Sequence, residues 1–298
     1  MNRRKFLGAC AATAALAQSQ TAATPCPLRL RFGVAQFDKY DPLLNIEELA
    51  QWGFDYCEPQ VIKLMPLSDA EFQTRVDLSR AGRIHVEAMN SLMPADLKVV
   101  GPEVDISHVR DYVQKALARA EALGARVVVF GSGDSRRVPD GFSRERAWLQ
   151  LQEFLHMLGD EIAKNQYGMV IGIEALRHEE SNIVNTSSEA YNLAVQTRHR
   201  KVHIIVDFFH LASEGEDPAI LPLLKDHIVH LHFADASRGR MFPRVDSQHP
   251  VYHAFFSAIH DIGYEGRMSL EAYTNDFQLD APAGLKAVRK LYETACAR

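Results

Sequence analysis

The sequence predicts an α/β chain of the (β/α)8 TIM-barrel class, a single domain preceded by a cleavable signal peptide, and three observations carry that prediction. Short β-rich runs alternate with longer amphipathic stretches eight times between residue 28 and the end. Several of the runs are apolar throughout, such as Val127-Val128-Val129-Phe130 and Ile204-Ile205-Val206, as parallel strands covered on both faces require. No dinucleotide fingerprint accompanies them, because Gly131-Ser132-Gly133 follows a strand but lacks the third glycine and an acidic partner. Eight repeats of that kind favour a closed barrel over an open sheet.

Residues 1–25 are expected to be a twin-arginine signal peptide and short linker, and residues 28–298 the barrel. Asn2-Arg3-Arg4-Lys5-Phe6-Leu7 opens the chain, the apolar run Ala9 to Ala17 is too short to span a bilayer, and Ala15-Leu16-Ala17 forms a small-residue cleavage signal. The expected location is therefore periplasmic or otherwise exported, with no stable membrane insertion after cleavage. Strands are then expected at Leu30 to Ala35, Tyr56 to Pro59, His85 to Asn90, Arg126 to Phe130, Met169 to Glu174, His203 to Asp207, Ile228 to Phe233 and Met268 to Ala272. Helices are expected between them. Val104 to Leu123 sets Val109, Val113, Ala116, Leu117 and Ala120 at helical spacing and stops at Gly124, and Arg144 to Ala163 repeats the pattern with Trp148, Leu151, Phe154, Leu155 and Leu158.

Composition bounds the function. With 298 residues, 47% hydrophobic, the chain can bury a large core without disulfide support. A net charge of -5 leaves no electrostatic footprint for nucleic acid. Past the signal remain Cys26, Cys57 and Cys296, in no metal-ribbon spacing; an oxidising compartment permits one disulfide, the two near-terminal cysteines being the candidate pair.

Chemistry collects at the C-terminal ends of the late strands, where barrels of this class place their sites. Strand five ends at Glu174, strand six at Asp207 and strand eight at Glu271, while strand seven runs His230-Leu231-His232. Singly, each acid reads as a helix cap or a surface ion-pair partner. Together they put three carboxylates and an imidazole on one face, and the mutual repulsion of three buried carboxylates is relieved by a divalent cation. Three oxygen donors and one nitrogen suit manganese first, with magnesium, cobalt or zinc as alternatives. His230 and His232 share parity; His232, nearer the strand's end, is the expected ligand and His230 a core or supporting residue. Glu58, ending strand two, reads equally as a substrate contact or a structural ion pair. Arg136 and Arg137 read as solvated loop residues or as ligands for an anionic group.

With Val206-Asp207-Phe208-Phe209-His210 and His230-Leu231-His232-Phe233-Ala234-Asp235, the chain resembles the xylose isomerase-like barrel superfamily, and within it the sugar phosphate isomerases/epimerases and ketose 3-epimerases. The resemblance runs from about residue 28 to the end and is strongest in the second half. It implies that Glu174, Asp207, His232 and Glu271 hold one divalent metal ion. By spacing it implies substrate contacts from His210, three residues after the metal aspartate, Arg238, six after the metal histidine, and Glu180, six after the first metal glutamate. The related apurinic-site endonucleases hold three zinc ions with additional ligands; here strand four ends Phe130-Gly131-Ser132-Gly133 and no Asp-x-His pair follows Asp235, which argues against DNA repair.

The expected activity is a metal-dependent isomerase or epimerase on a small polyhydroxylated, sugar-like substrate. Glu174 and Glu271, on opposite faces, would remove and return a proton beside a carbonyl through an enediolate. The alternatives are a hydro-lyase like the inosose dehydratases and an exported sugar-binding protein without catalysis. A homo-oligomer is compatible with either.

Overall fold

Strand and helix alternate because the apolar positions change period from two to nearly four, and each strand that follows is buried on both faces. The computed structural model describes residues 30–37 and 39–297; the expected signal peptide and Cys26 lie outside them, as does the side chain of Cys296, while Cys57 is a buried free thiol. Nine strands form: β1 (Arg31–Ala35), β2 (Tyr56–Glu58), β3 (His85–Val86), β4 (Ala88–Met89), β5 (Val127–Phe130), β6 (Val170–Glu174), β7 (Val202–Asp207), β8 (Ile228–Phe233) and β9 (Arg267–Leu270). All pair in parallel, in the order β3-β2-β1-β9-β8-β7-β6-β5-β4. The two strands at the ends of that order are consecutive pieces of one run, His85 to Met89, so the sheet closes into a barrel of eight staves.

The third stave breaks at Glu87 for an electrostatic reason. Its carboxylate is drawn to Arg31 and to Nε of Arg267 (2.6 Å), while the next residue, Ala88, packs with Tyr56, Val127, Val129 and Ile205. Two successive side chains turned to the same side cannot satisfy strict alternation, so the strand is interrupted there. A second irregularity, between Ile204 and Ile205, lets Val229 bulge from β8.

Helices cover the outside, and their ends are set by caps. Asp105 accepts from the backbone N–H groups of Ser107 and His108, so the helix expected from Val104 begins at Ile106 and runs to Leu123. Gly124 ends it at φ 89°, a left-handed conformation that glycine adopts without strain. Ser143 caps the helix Arg144–Lys164 in the same way.

Inside the barrel the residues form layers. The floor carries the Arg31–Glu87–Arg267 cluster, and above it lie Tyr56, Ala88, Val127, Val129 and Ile205. A Cβ at Gly33 would overlap the Tyr56 ring, so that ring occupies the space a side chain would take. Higher still come Ser269, His230 and Glu58, all fully buried, and at the mouth the acidic strand ends. Among the described residues no helix is long and apolar enough to cross a membrane.

Candidate metal centre

Four successive staves deliver the cluster. Glu174 is the last residue of β6 and Asp207 the last of β7; His232 is the penultimate residue of β8 and Glu271 directly follows β9. All four are buried, and one ligand atom from each lies within 4.8 Å of the others. Nδ1 of His232 stands 3.3 Å from Oε1 of Glu174 and 3.3 Å from Oε2 of Glu271. Asp207 uses Oδ1 to accept from the backbone N–H of Phe209 (2.7 Å), which caps the short helix Phe208–Ser213 and fixes the carboxylate. Gly131 makes room for Glu174: a Cβ there would collide with Oε2.

The charge balance of this cluster favours a cation. Burial pushes the Glu174 carboxyl up to about 7, a hydrogen bond from His232 opposes the rise, and Glu271 and Asp207 add to it. Burial also raises Asp207 despite the Arg240 guanidinium. Burial opposes charge on His232, yet Glu271 and Glu58 outweigh it and hold the imidazole well above its usual range. Glu271, against its burial, is drawn down to about 2 by His232 and Arg240. Three carboxylate oxygens and a nitrogen thus converge where a divalent ion fits, and the donor set suits Mn2+, Mg2+, Co2+ or Zn2+.

A cavity of about 240 Å3 opens beside the cluster, lined by Glu174, Glu271, His210, Arg240 and Glu180 among others, with Phe37 against Arg240. His210 is tuned to be neutral. The backbone N–H of Arg177 donates to its Nδ1 (3.2 Å), and its Nε2 lies 3.3 Å from Nη1 of Arg240, 3.6 Å from Asp207 and 3.9 Å from Glu180. Burial, then Arg240, lowers its pKa well below the ordinary value. A larger hollow of about 580 Å3, between the 245–253 segment and the last helix, contains none of these groups.

A sequence profile of the xylose isomerase-like TIM barrel family matches residues 46–294. The chain belongs to that family. Among solved structures, this family member is similar to a D-allulose 3-epimerase from Methylomonas sp. in complex with D-allulose, with a TM-score of 0.74 and 18% identity over 91% of this chain and all (100%) of that one. It is also similar to a 3-keto-D-glucoside 4-epimerase from E. coli, with a TM-score of 0.71 and 19% identity over 88% of this chain and 99% of that one. At such identities the likeness shows the fold alone. A 3-dehydroshikimate dehydratase of Pseudomonas putida is 31% identical over 211 residues, 62% of this chain but only 31% of the relative, so the match spans about a third of that protein's length.

Within this family fold, the structure brings together Glu174, Asp207, His232 and Glu271, with His210 beside them and Glu180 at the rim. It does not bring in Arg238. That residue is exposed at the end of a 3-10 turn, its guanidinium reaching toward the Phe242 carbonyl (3.5 Å). The arginine of the site is Arg240, missed by the spacing argument. Gly239 and Arg240 both take left-handed backbone conformations, φ 67° and 69°, which turn the chain so that the later arginine points inward. Arg240 is buried; Nη2 donates to Asp207 Oδ2 (3.1 Å) and to Glu271 Oε2, and the guanidinium lies 4.2 Å over the Phe37 ring. Asn90 was also missed: its Nδ2 donates to Glu271 Oε1 (2.6 Å) and to the Gln36 carbonyl.

Glu58 is not a substrate contact. It lies beneath the cluster, bonded to His230, His232 and Ser269, which also confirms a supporting place for His230. Arg136 is not solvated but fully buried, donating to the carbonyls of Phe130 (3.2 Å) and Glu174 (2.8 Å) and reaching that of Val184 (3.3 Å). Arg137 donates to the Glu180 carbonyl (2.9 Å). Neither lines the cavity.

Proposed function

We propose that this chain is a divalent-metal-dependent isomerase or epimerase that moves a proton at a carbon beside a carbonyl of a small, uncharged, polyhydroxylated substrate. The supporting observation is that Glu174 and Glu271 reach one small cavity from strands β6 and β9, on either side of His232. A bound divalent cation, held by Glu174, Asp207, His232 and Glu271, would supply Lewis-acid polarisation of the carbonyl and stabilise the negative charge that develops. One of the two glutamates takes the proton and the other returns it on the opposite face of the enediolate, inverting the centre. His210 lines the cavity beside Arg240 and would contact a substrate oxygen. Arg240 keeps Glu271 and Asp207 in place, and Asn90 fixes the second oxygen of Glu271.

The lining also bears on substrate charge. Among the described residues no lysine reaches the cavity, and its arginine is engaged by Glu271, Asp207 and, at 3.5 Å, Glu180. A carboxylate or phosphate would meet acids without a free cation, which supports a neutral sugar or inositol-like ligand. The dehydratase likeness supports a second reading, a hydro-lyase in which proton removal is followed by loss of a β-hydroxyl.

The test is a screen of keto-sugars and inososes in heavy water with the Mn2+-reconstituted protein. An isomer of the same skeleton carrying one solvent deuteron supports epimerisation. A product lacking the elements of water, with a new ultraviolet band, supports the lyase. Tight sugar binding without exchange would defeat both and leave a binding protein. For the first 25 residues we propose twin-arginine export; a fusion of that segment to a reporter, stranded in the cytoplasm when Arg3 and Arg4 are both changed to Lys, tests it.

A further inference from the structure

We infer that Glu58 is a positioning residue for the metal centre: by accepting the Nε2–H of His232 it decides which imidazole nitrogen faces the cation. The inference rests on the metal-site reading above. Nε2 of His232 lies 3.0 Å from Oε1 of Glu58, while Nδ1 lies 3.3 Å from both Glu174 and Glu271. A neutral imidazole carries one N–H and one lone pair, and an ionised carboxylate can only accept. Once a cation displaces the Nδ1 proton, Glu58 therefore keeps the remaining proton on the Nε2 side and aims the Nδ1 lone pair at the four-ligand cluster. A carboxylate behind a ligating imidazole also makes the other nitrogen a stronger donor.

Glu58 is itself held. Its Oε2 accepts from Nε2 of His230 (2.8 Å) and from the Ser269 hydroxyl, and the Ser269 oxygen lies 2.8 Å from the Tyr56 hydroxyl. These contacts tie β2 to β8 and β9 across the barrel interior, and Glu58, His230, His232 and Ser269 are all fully buried. The atoms of Glu58, His230 and His232 are also close enough together to converge on an ion of their own. Two features argue for hydrogen bonds instead. The carboxylate already has three donors, and a cation there as well as at the main cluster would require His232 to lose both ring protons.

The experiment measures Co2+ affinity and the visible d–d spectrum in the full-length protein and in two variants. Glu58→Met keeps the side-chain length but is uncharged and accepts only weakly, and should weaken Co2+ binding by about ten- to a hundredfold with an altered spectrum. Glu58→Gln, whose carbonyl oxygen can still face His232, should recover most of that loss. A merely structural role would lower the melting temperature of the metal-free protein without changing the spectrum. If Glu58→Met does not fold, nitrogen NMR of the Zn2+-loaded unaltered protein decides: the expected state has Nδ1 of His232 on the metal and a proton on Nε2. Unchanged Co2+ affinity and spectrum in Glu58→Met, or Zn2+ on Nε2, overturns the inference alone. Failure of the unaltered protein to take up any cation overturns the metal-site reading and this inference with it.

Discussion

The two ends of the barrel balance their charged groups in opposite ways. At the floor one carboxylate, Glu87, meets two guanidinium groups, Arg31 and Arg267, and the cluster is balanced within the chain itself. At the mouth Glu174, Asp207 and Glu271 meet one guanidinium and an imidazole, with Glu58 adding a fourth acid beneath. The first arrangement closes a structure. The second leaves a deficit of positive charge that a cation from solution can fill, and for that reason the upper end is the one read as functional.

The comparison breaks most sharply at Glu271. Glu271→Gln should lower proton exchange by about a thousandfold or more, measured as solvent deuterium uptake, because an amide cannot act as base. Exchange at the original rate would remove Glu271 from the chemistry. Next comes cation removal. Chelation should cost stability that returns on adding Mn2+, about 2.7 kcal/mol at an ion concentration about 100 times Kd, read as a shift in melting temperature. Glu87→Gln should leave that metal-dependent increment unchanged.

The pair Arg240→Ala and Arg238→Ala sharpens the site assignment. The first leaves Asp207 and Glu271 without their cation and should cut kcat/KM by about a hundredfold. The second should alter it little. A smaller effect, with a definite sign, follows from Glu174. Its carboxyl is pushed up to about 7, so below that pH an incoming ion must displace its proton as well as that of His232, and affinity should fall by about tenfold or more per pH unit there. The metal-free protein should show the reverse trend. The raised carboxyl favours folding below its ordinary 4.5, and that contribution is lost as pH rises through about 7. Least of all, Glu87→Gln at the half-exposed floor should cost about 1 kcal/mol by denaturant unfolding, with no change in metal affinity.

How much of this was legible depends on the range of the interaction. All eight staves could be read because a short β-rich run is a local pattern, and the four cluster residues because each stands at or near the end of such a run. Arg240 could not, since its inward turn depends on two left-handed residues in a loop, and the spacing argument settled on Arg238. Asn90 and Glu58 were obscured for another reason. Their partners lie 181 and 172–174 positions away in sequence, so only closure of the barrel reveals them. The split at Glu87 likewise answers to Arg31 and Arg267 on other staves.

The bare backbone at Gly131 has a consequence of its own. Because Oε2 of Glu174 fills the space where a methyl group would sit, adding one carbon at that position would force the Glu174 carboxylate to shift while all four cluster residues stay in the chain. Alanine at 131 would thus leave a protein whose sequence still carries the four candidate ligands but in which the carboxylate of one of them is displaced. In this barrel the capacity to hold an ion is written as much in a missing side chain as in those present.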